Sequence, residues 1–157
     1  MSATKTNIKT ASLGFSRMGQ NRELKFALEK FWSGKISFVQ LEEVAVGIRQ
    51  NNWKLQENLD YIPSGDFSFY DHVLDLSFEF GNIPAKFSVI SDETERYFAV
   101  ARGYQKNGTD LHACDMSKWF NTNYHYIIPE FHADVIPKYV QRKFVKQFLE
   151  AKAHGIV

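Results

Sequence analysis

The sequence predicts an α/β fold with parallel strand pairing, and three observations predict it. Runs of apolar, aromatic or β-branched residues at 11–15, 61–62 and 121–128 read as strands. Segments with apolar residues at helical spacing lie between and after them. Glycine, proline and capping residues sit at the joints. Strands that alternate with helices pair in parallel, because each helix carries the chain back to the start of the next strand.

The elements follow in order. Asn21 is placed to cap a helix over 22–33, with Leu24, Ala27, Leu28 and Phe31 as its buried stripe and Gly34 as its stop. Residues 16–21 form the loop before it, with Gly19 as a turn residue. Ser37 and Gln40 have the spacing of a capping box. The helix they open runs to about residue 56, with Leu41, Val44, Ala45 and Ile48 on one face. The strand at 61–62 ends at Pro63-Ser64-Gly65, and a helix over 69–80 follows, stopped by Gly81. Ser91 is placed to cap a helix over 93–102, stopped by Gly103, and Lys106-Asn107-Gly108 is a turn. Residues 138–154 form the last helix, burying Val140, Phe144, Val145, Phe148 and Leu149 and ending at Gly155. Ile156 and Val157 read as the start of another strand, so the chain is expected to stop in mid-architecture.

Composition narrows the class. With 44% hydrophobic and 24% charged residues, the 157-residue chain has the balance of a globular domain and not of a disordered one. A closed (β/α)8 barrel needs about 250 residues, so the chain is too short for one. A net charge of +1 gives no global field for nucleic acid or a membrane surface. No stretch reaches bilayer length, and residues 1–10 lack a signal peptide's apolar run. Cys114 is the one cysteine, which precludes an internal disulfide and suits a reducing compartment. The expectation is a cytoplasmic protein with a disordered leader over 1–10 and one domain over 11–157.

Four segments could carry chemistry. In Arg22-Glu23-Leu24-Lys25 the two bases share a face of the first helical turn, away from the apolar stripe. A helix start is already positive, so cations there, with unpaired N–H groups, concentrate an anion site. On charge alone, a solvated turn partly balanced by Glu23 is the more ordinary arrangement. Lys118 precedes an aromatic run ending at Tyr126, which with a base could stack a flat ring, but composition alone favours core. Asp66 and Asp71 bracket a strand-to-helix loop, where α/β folds meet ligands, and serve equally as turn and cap residues. His112 and Cys114 have a spacing zinc accepts, but zinc takes three or four protein ligands, and His125 and His132 have no ligand-like spacing to them.

Taken together, three of these segments resemble a family. Residues 13–19 (LGFSRMG) with Asn21-Arg22-Glu23-Leu24-Lys25 resemble the opening of cobalamin-independent methionine synthase. Gly65-Asp66-Phe67 with Tyr70-Asp71-His72-Val73-Leu74 is similar to its next signature, and residues 118–126 (KWFNTNYHY) to its third. The order and approximate spacing agree over residues 11–157. The resemblance implies a partial (β/α)8 barrel of roughly three to four β/α units, not closed. It implies an enzyme that moves a methyl group from 5-methyltetrahydropteroyltri-glutamate to homocysteine in methionine biosynthesis. Zinc, which activates the homocysteine thiol in that family, lies in a C-terminal barrel beyond the matched region. The chain is therefore expected to hold no cofactor of its own and to be inactive alone. The implied folate-tail site is Arg22, Glu23, Leu24, Lys25 and Lys118, which decides the helix start in favour of an anion site. Ser16 stands where the family usually has proline, which loosens the preceding loop. A non-catalytic assembly module of the same fold, which self-associates or complements a C-terminal portion, is the alternative reading. A metal-dependent enzyme using His112 and Cys114 is a third.

Overall fold

Two helices open the chain for the reason their spacing suggests. α1 (Glu23–Trp32) buries Leu24, Ala27 and Leu28, and α2 (Phe38–Leu55) buries Leu41, Ala45 and Ile48. The two pack on one another. The capping box forms as read: Ser37 Oγ accepts the Gln40 N–H, and the Gln40 side chain accepts the Ser37 N–H. The structure is a computed structural model describing residues 8–133, 135–140 and 142–156. It divides into two compact units, Met1–Phe67 with Phe144–Val157, and Ser68–Lys143.

In the first unit the expected strands at 11–15 and 61–62 shrink to one parallel bridge, Ala11 to Tyr61. Asp60 anchors it by accepting the Thr10 N–H at 2.8 Å, and Tyr61 N–H reaches Thr10 O at 3.0 Å. Of the expected leader, residues 1–7 lie outside the described residues. The last helix, α5 (Lys143–Ala153), starts at Lys143 and not at 138. Within the second unit, the Lys138 and Val140 N–H groups instead reach Phe80 O at 3.0 Å and Glu79 O at 2.8 Å. They thereby serve carbonyls that a helix end leaves unpaired. The expected buried stripe of α5 is corrected too. Val140, Val145, Phe148 and Leu149 are exposed, and α5 buries Gln147 and Ala151. Val157, half of the expected further strand, lies outside the described residues.

The second unit is built on α3 (His72–Glu79) and α4 (Glu93–Arg102), with a 3-10 turn at Ala85–Val89 between them. Its core gathers Leu74, Phe78, Phe87, Ile90, Val100 and Ile127. Asp71 caps α3 by accepting the Leu74 N–H at 2.7 Å. Asp92, in place of the expected Ser91, caps α4 by accepting the Glu95 N–H at 2.6 Å. β1 (Tyr104–Lys106) and β2 (Thr109–Leu111) pair antiparallel around Asn107 and Gly108, both at positive φ, which is the geometry an Asn-Gly hairpin turn supplies. β3 (Met116–Lys118) and β4 (His125–Ile127) make a second antiparallel pair, Lys118 opposite His125.

The strand expected over 121–128 is therefore only its last part. Residues 119–124 form a turn, in which the Trp119 N–H reaches Tyr124 O at 2.7 Å and Thr122 Oγ1 donates to Trp119 O at 2.6 Å. The described residues form a mixed α/β protein with one parallel bridge, two antiparallel ribbons and no closed barrel.

Candidate functional site

The loop before α1 is held from both sides within the first unit. Asn52 on α2 is buried and donates its side-chain amide to Ser16 O at 3.0 Å. Asp66 accepts the Phe15 N–H at 2.7 Å, so the second signature braces the first. Ser16, lacking the stiffness of proline, instead accepts the Met18 N–H through Oγ at 3.4 Å.

The helix start differs from its expected cap. Asn21 does not cap α1; Arg22 holds the N-cap position at φ 61° and ψ 36°, with no side-chain cap. This left-handed conformation costs a non-glycine residue about 1–2 kcal/mol. Glu23 instead reaches back to the loop. Its carboxylate accepts the Asn21 N–H at 3.0 Å and the Asn21 side-chain amide at 3.4 Å, and it bonds its own N–H. These hydrogen bonds hold the Glu23 carboxyl below its ordinary range. The Arg22 N–H goes to Gly19 O and the Leu24 N–H to Met18 O. The N–H groups expected to await an anion are thus largely engaged.

The four residues of the run divide by direction. Leu24 is 0% exposed, so its side chain belongs to the core. Arg22 and Lys25 face solvent, and Lys25 Nζ lies 3.9 Å from Glu29 one turn on. This supplies two outward cations on a turn pinned inward by Leu24. Lys118 sits exposed at the end of β3 in the second unit. The first two aromatics after it are not the core that composition favoured: Trp119 is 47% and Phe120 83% exposed, and Phe120 has φ 51°. Asp71 does belong to the interior, where it also accepts the Ile127 N–H at 3.1 Å.

His112 and Cys114 do not form a metal centre. Burial pushes the Cys114 thiol up to about 12, helped by its hydrogen bond to Glu130. Among the described residues no group of three or more His, Cys, Asp or Glu is arranged to hold a metal ion, so the residues present do not fit zinc. No described helix is long and apolar enough to cross a membrane.

Sequence reasoning missed two members of the site. Asn52 looks like any polar residue on a helix. Gly19 was read as a turn residue, and its φ of 77° agrees, but a Cβ there would also lie 2.1 Å from Glu23 Oε2. A glycine four residues before an acid at a helix start was the available signal.

Fold and site together define a mixed α/β domain that presents cations at a braced helix start. Residues 9–157 match the family model described as cobalamin-independent synthase, N-terminal domain, and the chain belongs to that family. It is 51% identical over 148 residues to a protein of Cytophaga hutchinsonii named 5-methyltetrahydropteroyltriglutamate–homocysteine methyltransferase, covering 90% of this chain and 19% of that one. Proteins of the same name from Flavobacterium johnsoniae and Neisseria meningitidis are each 48% identical, over 95% and 91% of this chain and 20% and 19% of theirs. The chain thus spans about a fifth of the length of these relatives.

Proposed function

We propose that this chain serves methionine biosynthesis as the folate-tail-holding portion of a 5-methyltetrahydropteroyltriglutamate–homocysteine methyltransferase, in the cytoplasm. The residues that this reading assigns to the tail site are those the resemblance implies, Arg22, Glu23, Leu24 and Lys25 in the first unit and Lys118 in the second. The observation that carries the reading is the pair of outward cations on a turn whose other two side chains brace it. A tri-glutamate tail is a string of carboxylates, which suits charge-assisted hydrogen bonds from arginine and lysine. The fold in this reading is a partial (β/α)8 barrel. This reading assigns methyl transfer, with the zinc that the resemblance implies, to a C-terminal barrel outside the matched region, and tail holding without catalysis to this chain.

Calorimetric titration with pteroyl-tri-glutamate and pteroyl-mono-glutamate tests this. The tri-glutamate form binds more tightly, the difference shrinks with added salt, and Lys118→Ala weakens it about 10-fold, the worth of one charged hydrogen bond. Equal affinity for both forms, or methyltransferase activity of the purified chain, would refute the reading.

A second reading has its own support in the exposed Val145, Phe148 and Leu149, which share one face of α5 by their spacing. An apolar face of that kind suits an assembly module that self-associates or takes up a complementing portion. Sizing over a range of concentrations separates the two, because an assembly module grows with concentration and a tail-holding monomer does not.

A further inference from the structure

We infer that Glu23 is a positioning residue of the tail site: its carboxylate, seated where Gly19 lacks a side chain, holds Arg22 in the left-handed conformation that presents the guanidinium to solvent. This rests on the tail reading above and assigns Glu23 a role through Arg22, not through contact with the tail.

Three features of the turn carry the inference. Arg22 is the residue out of its ordinary region, and the N–H groups on either side of it, those of Asn21 and Glu23, both bond the Glu23 carboxylate. Backbone that turns left-handed for one residue gathers neighbouring N–H groups around an anion, and here the anion is internal. Gly19 makes the seat. Its missing Cβ leaves the space that Glu23 Oε2 enters, and its carbonyl accepts the Arg22 N–H. Leu24, buried and bonded to Met18 O, fixes the far side. Arg22 has no side-chain cap, so the carboxylate is what offsets its backbone strain.

The test uses the whole chain and the variants Glu23→Ala, Glu23→Gln, Gly19→Ala and Gly19→Ala with Glu23→Ala. Glu23→Ala weakens pteroyl-tri-glutamate binding about 10-fold by releasing Arg22. Glu23→Gln restores most of the affinity, since an amide oxygen still accepts the N–H bonds. Gly19→Ala costs more in the wild-type background than beside Glu23→Ala, where no carboxylate is left to displace. Equal cost in both backgrounds, or unchanged affinity in Glu23→Ala, would overturn the inference. So would tighter binding in Glu23→Ala, which would make the carboxylate a competitor of the tail. Arg22 backbone chemical shifts give a ligand-independent readout. They report a left-handed residue in the wild type and lose that signature in Glu23→Ala; an unchanged signature overturns the inference. If the wild type itself does not distinguish tail lengths, the tail reading fails, while the shifts still decide what Glu23 does to Arg22.

Discussion

Arg49 joins α2 to α5 across 101 residues of chain, and replacing it should cost more than any surface ion pair could. Its side chain is 4% exposed. Nε lies 3.1 and 3.0 Å from the two Glu150 oxygens, and Nη2 lies 2.9 Å from Glu150 Oε2 and 2.7 Å from Glu42 Oε1. The guanidinium also stands 5.0 Å from the centre of the Phe67 ring. In Arg49→Met the methionine keeps an apolar stem near the ring, but both carboxylates lose their cation. Stranding the partner of a buried pair costs about 3–5 kcal/mol. Glu150 and Glu42 are 21% and 41% exposed, so water reaches them, and the lower end, about 3 kcal/mol, applies. That corresponds to a fall of roughly 6–12 °C in Tm, at about 2–4 °C per kcal/mol.

Glu150→Gln alone should cost less, about 1–2 kcal/mol, because an amide oxygen still accepts the Nε–H bond and Glu42 remains. The double variant should then be less destabilised than the sum by about 1–2 kcal/mol. Urea unfolding followed by tryptophan fluorescence reads this out. Trp53 is buried on α2 in the same unit and donates its indole N–H to Pro63 O at 3.2 Å. A loss below about 1 kcal/mol for Arg49→Met, or strict additivity, would mean that this network organises α2 and α5 without stabilising them, as buried ion pairs sometimes do.

Other perturbations probe single features. Leu24→Ala empties a fully buried site beneath the Arg22 turn and should cost about 2–5 kcal/mol in urea unfolding; a neutral change would show that the turn is not seated on the core. Burial raises the Asp71 carboxyl above its ordinary value of 3.8, so folding favours its protonated form. The stability this contributes is fully present below 3.8 and is lost as the pH rises through the raised value. Asp71→Asn should therefore flatten the dependence of the urea midpoint on pH just above 3.8, and an unchanged slope would refute that sign. Cys114 should resist thiol reagents at neutral pH while folded and react fully once unfolded, and fast native labelling would contradict its buried, protonated state.

Most helices were legible because each carries its own signal. α1 and α2 repeat their apolar residues at helical spacing, α1 and α4 run into Gly34 and Gly103, and the pair Ser37 and Gln40 marks its box within four residues of sequence. The sheet was less legible, because a strand three residues long holds one alternation of side chains and its partner is chosen elsewhere. Tyr104-Gln105-Lys106 and Thr109-Asp110-Leu111 pair because Asn107-Gly108 turns them together, not because of their hydrophobic pattern. The stripe of α5 misled for a related reason. Spacing defines a face but not what covers it, and here Gln147 and Ala151 turn inward while Phe148 and Leu149 stay exposed.

The helix start shows the same boundary within four residues. Charge alone drew attention to Arg22 and Lys25, and periodicity correctly assigned Leu24 to the core. Neither could assign Glu23. An acid at a first turn is ordinarily read as a partner of the helix dipole, acting on whatever charge lies near it. Here it bonds specific N–H groups of the loop, and it does so through a space that exists because residue 19 has no side chain. The sequence carries both halves of that arrangement, Gly19 and Glu23, but the conformation that joins them is the left-handed turn at Arg22, where an arginine gives no local cue. The proposed positioning role of Glu23 makes the affinity of the cations for the tail depend on Gly19 and Glu23, and the Gly19→Ala and Glu23→Ala cycle measures that dependence directly.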